Sequence, residues 1–199
     1  MIYLETIIAL VLLVAFIHFY FTRKNNDLKT ALFTEHIGSN TEIKKTLAMG
    51  LYLRFRKEIT ENPPKYSVLY IKEDPITFES FVAKIIEKTK GGSTWVSPPS
   101  GDFGVDFEHR TEDDLFLGQV KCYQGDLSYE PIALIHSNMI KQGAIGGYVI
   151  TTGSFTSAAR EYADGLNVEL IDGVKLIELW LDGLRNAEQE IKEFIPELI

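Results

Sequence analysis

The sequence predicts an α/β domain, a mixed central sheet with helices on both faces, preceded by one N-terminal transmembrane helix. Three observations lead there. An uncharged run opens the chain. Strand-like and helix-like patterns alternate from Pro75 onward. The first strands of that region come as a group, before the alternation begins. Strands in direct succession form an antiparallel meander, and strands separated by helices pair in parallel, so both patterns in one domain give a mixed sheet.

The 199 residues suit one domain of ordinary size with an addition. Apolar content of 45% and charged content of 24% are those of a globular protein. A single cysteine, Cys122, excludes an intrachain disulfide and a cysteine-rich zinc site. A net charge of −8 gives no overall attraction to nucleic acid.

The opening run "IIALVLLVAFIHFYF", Ile7 to Phe21, carries no charge. With Ile2, Tyr3 and Leu4 it makes about 20 mostly apolar residues, enough to cross a ~30 Å hydrocarbon core. Its acidic start and its bulky end at His18, Phe19, Tyr20 and Phe21 differ from a signal peptide, which has a positive start and a small-residue cleavage site. Arg23 and Lys24 follow the run, so the positive-inside rule puts the rest of the chain in the cytoplasm, at a bacterial inner membrane. Residues 1–22 are thus read as an anchor and 23–74 as a basic juxtamembrane linker. From Arg23 to Lys57 there are eight Lys/Arg against three acids, which suits anionic lipid as a neighbour and equally a solvated linker helix. Within it "TEIKKTLAMGLYLRFRKEI" looks helical with Thr41 as a cap, "NPPK" breaks the pattern, and "YSVLYI" reads as a short strand.

Residues 75–184 read as one domain. "DPITFESFVAKIIEKTKGG" is a helix opened by Pro75 and stopped by Gly91 and Gly92. "STWVSPP" is a strand with a proline end. "FGVDFEHR" and "LFLGQVKCY" are strands joined by the polar turn "TEDD". "PIALIHSNMIKQGA" is a helix and "GGYVITT" a buried strand. "GSFTSAAREYADGLN" is a helix capped by Ser154 or Thr156. "VELID" and "GVKLIELWLDGL" supply the last strand and core helix, and 185–199 form a helical tail.

Alternation along "LFLGQVKC" puts Leu115, Leu117, Gln119 and Lys121 on one face. In "GVDF", Val105 and Phe107 point one way and Asp106 the other. Pairing through the Thr111–Asp114 turn brings Asp106 near Gln119 and Lys121. A carboxylate, an amide oxygen and an ammonium on one face suit phosphodiester cleavage. Asp106, the Gln119 side-chain oxygen and the Val120 carbonyl are hard ligands for Mg²⁺ or Mn²⁺, and Lys121 can orient water or offset phosphate charge. Only one carboxylate is present in that set. Glu79, in the first turn of its helix, can assist, and equally suits the helix dipole. Thr151, Thr152, Ser154 and Thr156 are candidate phosphate contacts or, as readily, turn and cap residues. His109 and His136 have no evident partner.

The segments "FESFVAKIIEKTKGG", "GDFGVD", "GQVKCY", "GGYVITTGSFTSAAREYA" and "VELIDGVKL" resemble, in this order, the Mrr-type catalytic domain of the restriction-endonuclease-like PD-(D/E)XK superfamily. The resemblance covers about Pro75 to Leu181. It implies a metal-dependent DNA endonuclease, with Asp106 as metal ligand, Gln119 in place of a second acid, Lys121 as catalytic lysine, Glu79 as helix-borne glutamate, and Asp102 as an additional acid. DNA is the implied partner, and a homodimer is among the arrangements considered. From Ile76 to Ile199 the chain has ten Lys/Arg and twenty Asp/Glu, a net of −10, which opposes phosphate binding. The cations have to be concentrated, with Lys88, Lys90, Arg110, Lys121, Lys141 and Arg160 as candidates. A nuclease-fold module that binds nucleic acid or a partner without cutting, and a membrane-tethered scaffold, are the alternative readings.

Overall fold

The computed structural model describes residues 2–56, 77–98 and 103–194. Pro75, Asp102, the "NPPK" break and the "YSVLYI" strand lie outside them. Two compact units are present, 1–40 and 41–199. The first holds a single helix, α1 (Ile2–Ser39). Its segment Thr6–Asn26 has a mean hydropathy of 1.9 over 21 residues, which meets the length and composition of a membrane span. The helix continues without a break through Arg23 and Lys24.

The second unit begins with α2 (Thr41–Phe55), followed by α3 (Phe78–Lys90), β1 (Ser93–Val96), β2 (Phe107–Arg110), β3 (Leu115–Lys121) and β4 (Asp126–Leu127). Then come α4 (Glu130–Gln142), β5 (Gly146–Thr151), β6 (Ser154–Phe155), α5 (Ser157–Ala163), β7 (Val168–Ile171) and α6 (Gly173–Phe194). The main sheet has five strands in the order β1-β2-β3-β5-β7. The first three form the expected antiparallel meander, and β3, β5 and β7 run parallel. The mixed sheet with helices on both faces is the fold class the alternation implied.

Each face of the sheet has its own core. Phe107, Val120, Tyr148, Ile150 and Ile171 pack under α2, α3 and α6. Leu117, Val149 and Val168 pack with Ile132, Ile135 and Met139 of α4 and Ala159 of α5. This accounts for β5, which is buried at every position and so reads as an apolar run without alternation. It also revises the hairpin. Val105 joins the second core and Phe107 the first. The two do not share a face: Val105 precedes the ladder, which begins at Phe107, and follows positive φ at Phe103 (49°) and Gly104 (85°).

Several boundaries differ from the sequence reading. α3 starts at Phe78 with Thr77 as its cap, the hydroxyl accepting the Ser80 N–H. Thr156, not Ser154, caps α5, accepting from the Ala159 N–H. The described residues of the expected linker 23–74 lie mainly in α1 and α2. Within it, α2 buries Ala48 and Leu51, and Phe55 packs against Phe78 and Phe81 at ring distances of 5.2 and 5.3 Å. Lys44 of α2, itself buried, pairs with Glu178 of α6 at 2.6 Å. Ala48, Leu51 and Phe55, at i, i+3 and i+7, form the stripe that docks α2, while Met49 and Leu53 stay exposed. The described part of the tail is helical, as expected, and continues α6 through Phe194 without a break at Arg185.

Candidate active site

β2 ends before β3 does. The last ladder pair is Phe107 with Gly118, and β3 continues through Gln119, Val120 and Lys121 with no strand among the described residues beside it on that edge. Asp106 fills the next rung. Its N–H donates to the Gly118 carbonyl at 2.8 Å, and its carboxylate accepts the Val120 N–H at 2.6 Å. On the other side its carbonyl accepts the Ser97 N–H at 2.9 Å. In an extended strand the N–H and C=O of one residue point the same way, so the Val120 carbonyl opens toward the Asp106 edge. Gly118 is where the strand must lack a side chain, since the Phe107 ring occupies the space where a Cβ would stand.

Gln119 is 2% exposed, and its Oε1 is the buried side-chain oxygen that has no hydrogen-bond partner among the described residues. Its amide nitrogen abuts Gly104, 3.0 Å from the Cβ position there. A buried acceptor left unpaired is costly, of order 1–3 kcal/mol, and invites an explanation such as an ion. Lys121 is half-buried and forms no ion pair with a described residue. The described residues contain no group of three or more His, Cys, Asp or Glu placed to hold a metal ion. A cation here would therefore rest on one carboxylate, one amide oxygen and one carbonyl.

Glu79 is half-buried in the first turn of α3. Burial pushes the Cys122 thiol up, Thr152 offsets part of that by hydrogen bonding, and the Glu79 charge adds to the rise. Glu79 thus stands within electrostatic reach of the end of β3. The threonines after β5 turn inward. The Thr152 hydroxyl donates to the Tyr123 carbonyl at 2.8 Å and accepts its N–H at 3.0 Å. Thr151 accepts the Gly153 N–H, and Ser154 accepts from Arg160 at 3.2 Å. These contacts tie the chain after β3 to the chain after β5, continued by the short parallel pair β4–β6. The hydroxyl of Thr152 thus makes a turn contact and that of Thr156 a helix cap.

Of the candidate DNA-binding cations, Lys90 pairs with Glu169, Arg110 with Glu108 and Arg160 with Asp172. Lys88, Lys121 and Lys141 form no ion pair among the described residues.

Two further features escape a reading by motif. His109, 1% exposed, has its Nε2 2.7 Å from the Gly91 carbonyl and its Nδ1 3.2 Å from the Tyr148 hydroxyl. A carbonyl only accepts, so the Nε2 proton faces Gly91 and Tyr148 donates to Nδ1. Strand alternation with Phe107 would have placed His109 in the core. A cavity of about 580 Å³ lies at the opposite end of the strands, lined by Lys90, Phe116, Tyr148, Asn167 and Glu169. The polar set at Asp106 lies instead at the carboxyl end of the parallel strands, where α/β sheets place their chemistry.

An antiparallel edge running into parallel strands, with Asp106 set against a Gln-x-Lys strand, belongs to the restriction-endonuclease-like fold class. The family model described as restriction endonuclease (the Mrr catalytic domain) matches residues 71–180. That is more than half of the chain, and the chain belongs to this family. Among solved structures it is similar to the DNA modification-dependent restriction endonuclease AspBHI, at 17% identity and a TM-score of 0.47, over 72% of this chain and 40% of that one. It is also similar to the MspJI restriction endonuclease in complex with a 27-mer oligonucleotide, at 20% identity and a TM-score of 0.41, over 71% and 40%. The chain thus spans less than half the length of either. No curated protein matches it.

Proposed function

We propose that the chain is a metal-dependent DNA endonuclease held at the cytoplasmic face of a membrane by α1. The observation that carries this reading is the pairing of Asp106 with the end of β3, beside a buried Gln119 oxygen that lacks a protein partner. Family membership gives the reaction class.

Asp106, the Gln119 Oε1 and the Val120 carbonyl would hold a Mg²⁺ or Mn²⁺, and the buried unpaired amide oxygen fits that use. When bound, the ion supplies polarisation of the scissile phosphate and a water of lowered pKa. Lys121, on the Gln119 face, holds the attacking water by hydrogen bonding and offsets charge on the phosphate. The Val120 N–H fixes the Asp106 carboxylate, so little reorganisation accompanies loading. Glu79 adds a second negative charge from α3. The anchor is supported by the length and hydropathy of Thr6–Asn26 and by Arg23 and Lys24 after it.

A second reading, a module that binds nucleic acid or a partner without cutting, is favoured by the single carboxylate of the ligand set and by the net charge of −10 from Ile76 to Ile199. Plasmid cleavage in Mg²⁺ or Mn²⁺, with Asp106→Ala and Lys121→Ala beside the native chain, separates the two. Cleavage lost in both variants supports the endonuclease. Cleavage that persists in both removes the site assignment, and no cleavage with any metal or DNA modification leaves the binding module.

A further inference from the structure

An acidic domain that keeps three of its six candidate cations in internal ion pairs needs something other than charge to hold DNA. The loop that delivers Asp106 offers it. Phe103 is 71% exposed and sits in the left-handed region at φ 49°, a conformation unfavourable for a bulky residue. It is pinned there. Asn138 of α4, 6% exposed, donates its Nδ2 to the Phe103 carbonyl at 3.1 Å and to the Leu134 carbonyl at 2.9 Å. The next residue, Gly104, abuts the Gln119 amide, so the loop that carries Phe103 runs beside the proposed catalytic edge, and the Phe103 ring lies toward Lys141 in the last turn of α4. The Lys141 ammonium lies 4.9 Å over that ring and forms no ion pair among the described residues.

Resting on the endonuclease reading, we propose that Phe103 and Lys141 form a DNA-contacting pair, the ring packing against a sugar or base of the strand presented to Asp106 and the ammonium meeting a flanking phosphate. A nucleic acid strand offers an apolar face and an anion within one nucleotide, which is what a ring with an ammonium over it matches. An apolar protein face would desolvate Lys141 with nothing in return. The aromatic part of the contact is independent of salt, and this is how a domain of net charge −10 keeps hold of a polyanion.

The test uses the full chain in detergent micelles and a fluorescent DNA duplex, with Ca²⁺ to allow binding without cutting. Phe103→Ala is expected to weaken binding about tenfold without altering its salt dependence. Phe103→Trp restores affinity, an outcome that a merely structural ring would not give. Lys141→Gln is expected to lower the slope of log K against log salt by about 0.9, the release of one counterion. Thermal melts of each variant check folding, and Phe103→Gly, which suits the positive φ, gives a binding-deficient variant of unreduced stability. Native affinity in Phe103→Ala and Phe103→Gly overturns the proposal while leaving the endonuclease reading intact if the chain still cuts. Loss of self-association instead of DNA binding, read by analytical ultracentrifugation, overturns it in favour of contact between copies. A native chain that neither binds nor cuts DNA overturns both.

Discussion

The carboxylate of Asp106 accepts the main-chain N–H of Val120 at 2.6 Å, at the point where β2 has ended and β3 goes on paired with β5. One side chain thereby both closes the sheet edge and supplies the anionic group of the candidate site. The two roles can be separated. Asn at this position can still accept the N–H through its amide oxygen but brings no charge. Asp106→Asn is expected to melt near the native temperature while losing cleavage by at least about 10²-fold. Asp106→Ala is expected to lose the charged hydrogen bond as well, about 1.5–3 kcal/mol in urea unfolding. Cleavage retained by Asp106→Asn would falsify its assignment as metal ligand.

Gln119 gives a test of the metal that does not depend on cutting. Its buried Oε1 has no partner among the described residues, so the side chain contributes little to the apo fold. Replacing an unpaired polar group by an apolar one of similar shape is close to neutral or stabilising. Gln119→Met is expected to match or exceed the native melting temperature without metal. The rise in melting temperature that Mn²⁺ gives the native chain is expected to shrink or vanish in the variant. An equal rise in both chains would mean that the ion binds elsewhere.

Lys121 shares the Gln119 face and has no ion pair among the described residues. A lysine acting on the transition state is felt in turnover rather than in binding. Lys121→Met is expected to cut about 10²–10³-fold more slowly at saturating DNA, with affinity in Ca²⁺ changed less than about threefold. A parallel fall in affinity would make Lys121 a ground-state phosphate contact.

Why the rung that sets Asp106 opposite Gln119 was legible in the sequence, and other contacts were not, follows from the range of the forces involved. Strand alternation and one tight turn bring Asp106 opposite Gln119, and both are local properties. The order of elements was legible for the same reason. The face of Val105 was not, because Val105 lies before the β2 ladder begins, in a loop whose Phe103 carbonyl is held by Asn138, 35 positions away. The partners of His109 come from the turn after α3 and from β5, so no window around the histidine contains them. The β4–β6 pair has two residues in each strand, too short for any period.

Burial holds the Tyr148 phenol well above its ordinary value, and the Glu169 charge adds to the shift. The protonated form is favoured in the fold, where it donates to His109. In the unfolded chain Tyr148 ionises near pH 10, while in the fold it keeps its proton. The unfolded state then binds fewer protons than the native state, so the contribution to stability is full below pH ~10 and falls as the pH rises beyond it. Tyr148→Phe is expected to be less stable at neutral pH by about 1 kcal/mol, the hydrogen bond lost. It is also expected to lose stability less steeply above pH ~10. Urea midpoints from pH 8 to 11 measure both, and equal slopes in the two chains would remove Tyr148 as the source.

Helix α2 determines where the folded unit begins. Leu51 is 5% exposed, Phe55 lies between Phe78 and Phe81, and Phe81 meets the edge of Trp180 at 5.4 Å. Cys122, next to Lys121, donates to the Tyr52 carbonyl at 3.7 Å, so α2 also reaches the strand that carries the candidate site. A fragment starting at Thr41 keeps this layer, and one starting at Asp74 exposes the aromatic faces of α3 and α6. The longer fragment is expected to unfold cooperatively, and Leu51→Ala within it to cost about 2–5 kcal/mol. The shorter one is expected to aggregate or to bind a hydrophobic dye, and to cut poorly because the end of β3 has lost its support. Equal melting temperatures for the two fragments would show that α2 is a linker after all, and that Lys44–Glu178 and the Phe55 contacts add nothing to the fold.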